Sequence, residues 1–260
     1  MLFVTDDGVR LYYLDHGQGM PVLLLHAFPL NADSFRAQIA AFSGRFRFIV
    51  PDHRGFGRSA VAAGPTEMSR IARDALGILD SLEISRAVIG GVSMGGYATM
   101  ALLRQDAGRA QALVLVDTQA GVDDEAGRLR REDTARAVME KGVKVLVEST
   151  LPRLLAPDAD PKVKAEVAAM INATRPEGAA AALRGMAMRT DSKDILARFA
   201  GPVLLVVGER DLLTPVDRAR EMKELIPSAE LSVVPGAGHL SNLERSDDFN
   251  RVLERFLSSL

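Results

Sequence analysis

Residues 90–96 read Gly90-Gly91-Val92-Ser93-Met94-Gly95-Gly96, "GGVSMGG", a lone serine and its two neighbours between glycine pairs. Glycine loses the most conformational freedom on folding, so such a cluster between apolar segments needs a structural reason. The preceding "RAVI" runs into the stretch as a short apolar strand, and the following "YATMALLRQD" has helical spacing. Gly91-Val92-Ser93-Met94-Gly95 thus matches G-x-S-x-G at a strand-to-helix turn. A turn this sharp pushes the serine hydroxyl out at the carboxyl edge of a sheet. It also brings strand and helix backbones together, so the positions two before and two after must be small. The helix start aims free N–H groups at any anion formed there. A dinucleotide fingerprint needs a different glycine spacing near the start of the chain, and a P-loop needs a lysine that is missing here.

Outward from this turn, the chain alternates strands and helices. "LFVT" and "VRLYYLD" read as a hairpin around Asp6-Asp7-Gly8, followed by strands in "PVLLLHA" and "RFRFIVPD". "RAVIGGV", "AQALVLVDTQ", "GPVLLVVGE" and "AELSVVP" complete eight strands. Helices are expected in "NADSFRAQIAAF" (capped by Asn31 or Asp33), "EMSRIARDALGILDSL", "MGGYATMALLRQD", "PVDRAREMKELI" and a closing "LERSDDFNRVLERFLSSL". Apolar strands alternating with helices predict an α/β fold, a mostly parallel sheet covered on both faces. Residues 120–199 break the alternation. They contain helical segments punctuated by Pro152, Pro157, Pro161 and Pro176 and no convincing strand. The expected organisation is a core of residues 1–119 and 200–260 with a helical insertion of residues 120–199.

A serine hydroxyl is a weak nucleophile until a base takes its proton. The chain has four histidines: His16, His26, His53 and His239. His239, in "VVPGAGHLSNLE", follows the last strand, and parallel strands present all their carboxyl ends on one side. It is therefore the expected base. His26 and His53 read as structural hydrogen bonders and His16 as a surface residue. An acid must fix the histidine tautomer. Asp211 in "VVGERDLLTP" is favoured, because the order Ser93, Asp211, His239 suits this arrangement. Asp117 and Glu209, also near strand ends, are its rivals. The backbone N–H groups of Met94 and of Phe28, in the loop after the third strand, are the expected oxyanion donors. Leu30 and Leu240 are expected in the substrate pocket, although the side chains of Phe28, Leu30 and Met94 read equally well as core.

The 260 residues carry a net charge of −2 and no basic stripe, which argues against a nucleic-acid partner. The absence of cysteine removes disulfides, thiolate catalysis and cysteine-bound metals. No metal or organic cofactor is expected. No apolar run reaches membrane-spanning length and "MLFVTDDGVR" is no signal peptide, so the expected location is the cytoplasm. The oligomeric state is not legible.

The blocks "LLLHAFPLNADSF", "VPDHRGFGRS", "GGVSMGG", "VVGERDLLTP" and "VPGAGHLSNLE", in this order, make the chain resemble an α/β-hydrolase fold enzyme along nearly its whole length. Within that fold it is most similar to the small esterase, enol-lactonase and cofactor-free haloperoxidase group. "AMRTDSKDIL" strengthens the similarity to 3-oxoadipate enol-lactonase-like hydrolases. The resemblance implies the triad Ser93, Asp211 and His239, the Phe28 and Met94 oxyanion donors, and a cap over the site formed by residues 120–199. The expected activity is hydrolysis of a small-molecule carboxylic ester or lactone through an acyl-enzyme on Ser93. A slow-turnover ligand sensor, or a perhydrolase using peroxide, are the alternatives. Arg128, Arg130 and Arg131 read either as solvated helix residues or as contacts for a substrate carboxylate. The chain departs from the family in having Ala27 where glycine is usual after His26. If that position takes a positive φ, Ala27 strains the loop carrying Phe28.

Overall fold

The eight apolar runs pair into one sheet in the computed structural model, which describes residues 1–260. The strands are β1 (Leu2–Val4), β2 (Arg10–His16), β3 (Met20–Leu25), β4 (Phe46–Pro51), β5 (Ala87–Val92), β6 (Ala110–Val116), β7 (Val203–Gly208) and β8 (Glu230–Val234). Their spatial order is β1-β2-β4-β3-β5-β6-β7-β8. The β1–β2 and β2–β4 pairs are antiparallel and every other pair is parallel. β5 and β7 are buried at every residue, as strands covered on both faces must be. Because the strands from β3 onward run the same way, the turns after β3, β5, β6, β7 and β8 emerge along one edge of the sheet.

The covering helices are α1 (Arg36–Phe42), α2 (Met68–Ser81), α3 (Met94–Asp106), α4 (Glu125–Lys141), α5 (Lys144–Ser149), α6 (Leu151–Leu154), α7 (Pro161–Asn172), α8 (Pro176–Ala187), α9 (Lys193–Arg198), α10 (Val216–Leu225), α11 (Ser241–Glu244) and α12 (Ser246–Leu257). A 3-10 turn over Ala32–Phe35 precedes α1. Its cap is Asn31, whose side chain accepts from the Asp33 N–H at 3.0 Å. The closing helix expected from the sequence is two helices. Arg245, at φ −129° and ψ 54°, separates them and lets α12 lay Phe249, Leu253, Phe256 and Leu257 against the core. No helix is long and apolar enough to cross a membrane.

Helices α4 to α9 all lie between β6 and β7, so the strandless stretch is a helical insertion. Its first helical run is divided at Gly142, where φ is 78° and no side chain is needed. Helix α8 joins the insertion to the core by direct backbone contact. A Cβ at Gly178 would come within 2.2 Å of the Gly55 carbonyl oxygen, and one at Gly185 within 1.7 Å of the Thr66 carbonyl oxygen. Between these points the Thr66 N–H donates to the Ala181 carbonyl at 2.9 Å. Helix α4 packs along α8, whereas α9 packs against α3 and α10 of the core layers.

Candidate active site

The turn between β5 and α3 is as tight as its sequence requires. Ser93 adopts φ 53° and ψ −112°, a left-handed backbone that a non-glycine residue takes only when its surroundings impose it. Three contacts impose it. The Ser93 N–H donates to the Val116 carbonyl at 2.9 Å. The Ser93 carbonyl accepts from the Gly96 N–H and from the Thr118 hydroxyl, each at 2.9 Å. A Cβ at Gly91 would lie 2.2 Å from the Gly95 carbonyl group, and one at Gly95 would lie 1.9 Å from the Leu25 carbonyl oxygen. Gly96 leaves room for the Thr118 side chain that holds Ser93.

Ser93 Oγ is 2.7 Å from His239 Nε2, and His239 Nδ1 is 2.8 Å from Asp211 Oδ2. Both the imidazole and the carboxylate are buried. Asp211 Oδ1 accepts from the Leu213 and Thr214 N–H groups at 2.7 and 2.9 Å, and Oδ2 accepts from the Thr214 hydroxyl at 2.8 Å. Burial works against the charge on His239, but the adjacent Asp211 carboxylate outweighs it and holds the imidazole above its ordinary pKa. Burial opposes the Asp211 charge too, yet the imidazole and the Thr214 donors keep that carboxyl below its ordinary value.

The rival acids have other work. Asp117 is fully buried and accepts from the Gly208 N–H at 2.7 Å, the Ser241 N–H at 2.9 Å and the Ser241 hydroxyl at 2.7 Å. It therefore ties the end of β7, which leads to Asp211, to the segment just past His239. Burial, then the charge of Asp211, pushes its carboxyl up to about 7. Glu209 accepts from the Gly236 N–H at 2.8 Å, linking the same two loops.

Ala27 does not strain the loop after β3. The non-glycine residues with positive φ are Glu83, Ser93 and Asp117, so the left-handed conformation considered for Ala27 is not used. His26 organises this loop instead. Its Nε2 accepts from the His53 N–H at 3.0 Å, so Nδ1 carries the proton and donates to the Ala27 carbonyl at 2.9 Å. In a trans peptide the N–H points away from the carbonyl, so this bond turns the Phe28 N–H to the opposite side. Burial, partly offset by the bond to Ala27, lowers the His26 pKa to about 4, which leaves it neutral at pH 7. His53 is engaged in the same loop, its Nε2 lying 3.3 Å from the His26 carbonyl oxygen. The Phe28 N–H has no partner within the protein. Met94, the first residue of α3, has an N–H that the helix itself does not use.

Ser93 and His239 open into a cleft of about 500 Å³ between the sheet edge and the insertion. Phe28, Leu213 and Thr214 line it from the core side, and Arg130, Arg131, Arg153, Leu154, Leu183 and Met186 from the insertion. Leu30 and Leu240, expected in the pocket, are absent from the lining and fully buried in the core. An apolar side chain beside the loop has the sheet interior within reach, and full burial there stabilises it by roughly 2 kcal/mol over an open cleft. Of the arginines singled out from the sequence, Arg130 and Arg131 reach the cleft and Arg128 does not. Arg131 is held by Asp123, which also takes Arg189 in a two-point bond at 2.8 and 2.9 Å.

A sequence profile described as the alpha/beta hydrolase fold matches residues 20–246. The chain belongs to this family. It is 27% identical over 256 residues to a 3-oxoadipate enol-lactonase of Acinetobacter baylyi, covering 96% of this chain and 94% of the relative. A putative non-heme chloroperoxidase of Synechocystis is 28% identical, with 96% and 95% covered. Among solved structures, a thermophilic esterase of Thermogutta terrifontis, with malate bound, superposes with a TM-score of 0.96 at 35% identity, covering 100% of this chain and 98% of that one. The enol-lactonase of Burkholderia xenovorans gives a TM-score of 0.92 at 28% identity, with 99% and 100% covered.

Sequence reasoning on this hydrolase-fold chain missed Thr214 and Arg153. Thr214 lies three residues after Asp211 in a turn closed by the carboxylate, a spacing typical of aspartate-led turns. Arg153 sits in α6, and nothing in "TLPRLL" marks which way that short helix faces.

Proposed function

We propose that the protein is a serine hydrolase of carboxylic esters or lactones that works through an acyl-enzyme on Ser93. The observation that carries this reading is the unbroken chain from Asp211 through His239 to a left-handed Ser93, with links of 2.8 and 2.7 Å. His239 Nε2 takes the Ser93 proton as Oγ attacks the carbonyl carbon. The tetrahedral oxyanion is held by the Phe28 and Met94 N–H groups, with the N-terminus of α3 adding its dipole. The imidazolium then protonates the leaving alkoxide. In the second half, His239 deprotonates a water that attacks the acyl carbon, and the acid leaves as Ser93 recovers its proton. Asp211 fixes the Nδ1–H tautomer and stabilises the imidazolium throughout. No step draws on a metal or an organic cofactor. The helical insertion serves as a cap whose cleft-facing side chains select the small-molecule substrate.

The esterase and enol-lactonase relatives support ester or lactone as the substrate class. The chloroperoxidase relative favours a second reading, in which hydrogen peroxide replaces water and the acyl-enzyme is released as a peracid. Purified protein assayed against linear esters and lactones, with and without peroxide, separates these readings. Mass spectrometry of the quenched reaction should show Ser93 acylated. Absence of that adduct, with turnover unchanged in Ser93→Ala, would overturn the mechanism. A single turnover followed by a stalled adduct would make the protein a slow ligand sensor.

A further inference from the structure

Glu244 lies in α11, five residues past His239, and has no part in the triad. Its carboxylate is nevertheless placed between two catalytically relevant segments. Oε2 accepts from the Gly238 N–H, immediately before His239, at 3.2 Å. The same oxygen accepts from the Ala156 N–H at 3.0 Å, with Oε1 at 3.2 Å. Ala156 belongs to the segment between α6 and α7 in the middle of the insertion, two residues after Leu154, which lines the cleft.

The two segments also touch through their backbones. A Cβ at Gly238 would lie 2.6 Å from the Ala156 nitrogen and 2.7 Å from the Leu155 carbonyl carbon. On its other side the Gly238 carbonyl oxygen would lie 2.0 Å from a Cβ at Gly208, the last residue of β7. Gly238 is thus enclosed between the strand that leads to Asp211 and the segment of the insertion between α6 and α7. A carboxylate accepting N–H bonds from both segments makes charge-assisted bonds, roughly twice as strong as neutral ones.

We propose that Glu244 is a positioning residue that couples the seating of the cap segment between α6 and α7 to the aim of His239. When residues 154–156 are docked, the Gly238 peptide is held and the imidazole faces Ser93. When this segment lifts, the shared acceptor is pulled from Gly238 and the base loses the support nearest to it on the N-terminal side. The remaining supports, Asp117 on Ser241 and Glu209 on Gly236, answer to the β7 side and not to the cap. Cap closure over a substrate then completes the alignment of the base, so catalytic power rises with occupancy of the cleft. The role in turnover rests on the reading of His239 as general base; the mechanical coupling does not.

Hydrogen–deuterium exchange on the full chain tests the coupling directly. In Glu244→Ala, amides of residues 151–157 and of residues 236–240 should exchange faster together, while those around Ser93 stay protected. Glu244→Gln keeps one oxygen able to accept both N–H groups and should restore most of the protection. Faster exchange in only one of the two segments, or no rescue by glutamine, overturns the proposal. In turnover, Glu244→Ala should lose kcat by about tenfold or more, because small misplacements of a base are costly, with glutamine recovering most of it. A lowered Tm with kcat intact would make Glu244 merely structural. Failure of the native protein to turn over any ester would instead sink the functional reading and leave the exchange result to decide the coupling.

Discussion

The carboxyl edge of the sheet and the helical insertion, proposed as a cap, face each other across one cleft, yet they are built in different ways. At the edge, each functional group is fixed by several buried bonds. Ser93 is gripped through both its N–H and its carbonyl, Asp211 takes three donors, and Asp117 and Glu209 tie the acid loop to the histidine loop. The insertion rests on the core through α8, through α9 against α3 and α10, and through Ala156 on Glu244, and it presents exposed arginines such as Arg130 and Arg153 to the cleft. A fixed edge suits chemistry, which tolerates little misplacement. An insertion seated at separate points can divide its work: α8 carries lining residues suited to selection, whereas the contact at Ala156 reaches the histidine loop.

The sharpest way to break this division is at the edge. Ser93→Ala should lower kcat by about 10⁴-fold or more on every ester tested, with the fold and Tm retained. Turnover near the native rate would place the chemistry elsewhere. Next come the two buried aspartates. Asp211→Asn should cost on the order of 10³- to 10⁴-fold in kcat, since the imidazole loses both its tautomer and its counter-charge. Asp117→Asn should cost only about tenfold, through slackening of the two loops it joins, with a fall in Tm because an amide cannot accept all three N–H and O–H bonds. A larger loss from Asp117→Asn than from Asp211→Asn would reverse the assignment of the acid.

The pH profile tests the same edge on a smaller scale. His239 must be neutral to accept the Ser93 proton, so kcat/KM should rise with pH and reach half its plateau at the pKa of His239. Burial would lower that pKa, but the Asp211 charge and hydrogen bond override it, so the midpoint should lie above the ordinary histidine value of 6.5. Below it, each pH unit should cost about tenfold. Whatever activity Asp211→Asn retains should titrate with a lower midpoint, because the raising influence has gone. A native profile flat from pH 5 to 8 would contradict His239 as base where chemistry limits the rate.

What could be read from the sequence follows the same division. The edge was legible because its constraints are local: Gly91 and Gly95 are dictated by a turn within five residues, and Asp211 and His239 each follow an apolar strand. The cap was legible only as helices. Helical periodicity says which residues share a face, but the direction of that face depends on α8 meeting Gly55 and Thr66, more than a hundred residues away in sequence. Arg153 was therefore invisible as a cleft residue. Leu30 and Leu240 were misplaced for a related reason: closeness in sequence to Phe28 and His239 does not fix which side of the loop a side chain takes. The bridge made by Glu244 escaped notice because half of it lies in the cap.

The smallest expected effects come from the cap, and they decide whether it is a separable selector. Gly185→Ala puts a methyl group into the Thr66 carbonyl, so α8 must shift away from the core. Overpacking of this kind costs about 1–3 kcal/mol, which should appear as a Tm lower by a few degrees. Leu183 and Met186 ride on the same helix and line the cleft, so KM should rise several-fold while kcat stays within about threefold of native. Gly142→Ala is the matched control. A Cβ there meets nothing within 4 Å, and the only penalty is the glycine-only backbone of φ 78° and ψ 176°, about 1–3 kcal/mol. This substitution should lower Tm by a comparable few degrees and leave KM unchanged. If Gly185→Ala instead lowers kcat as strongly as Asp117→Asn, the docking of α8 reaches the triad just as the seating of Ala156 is proposed to.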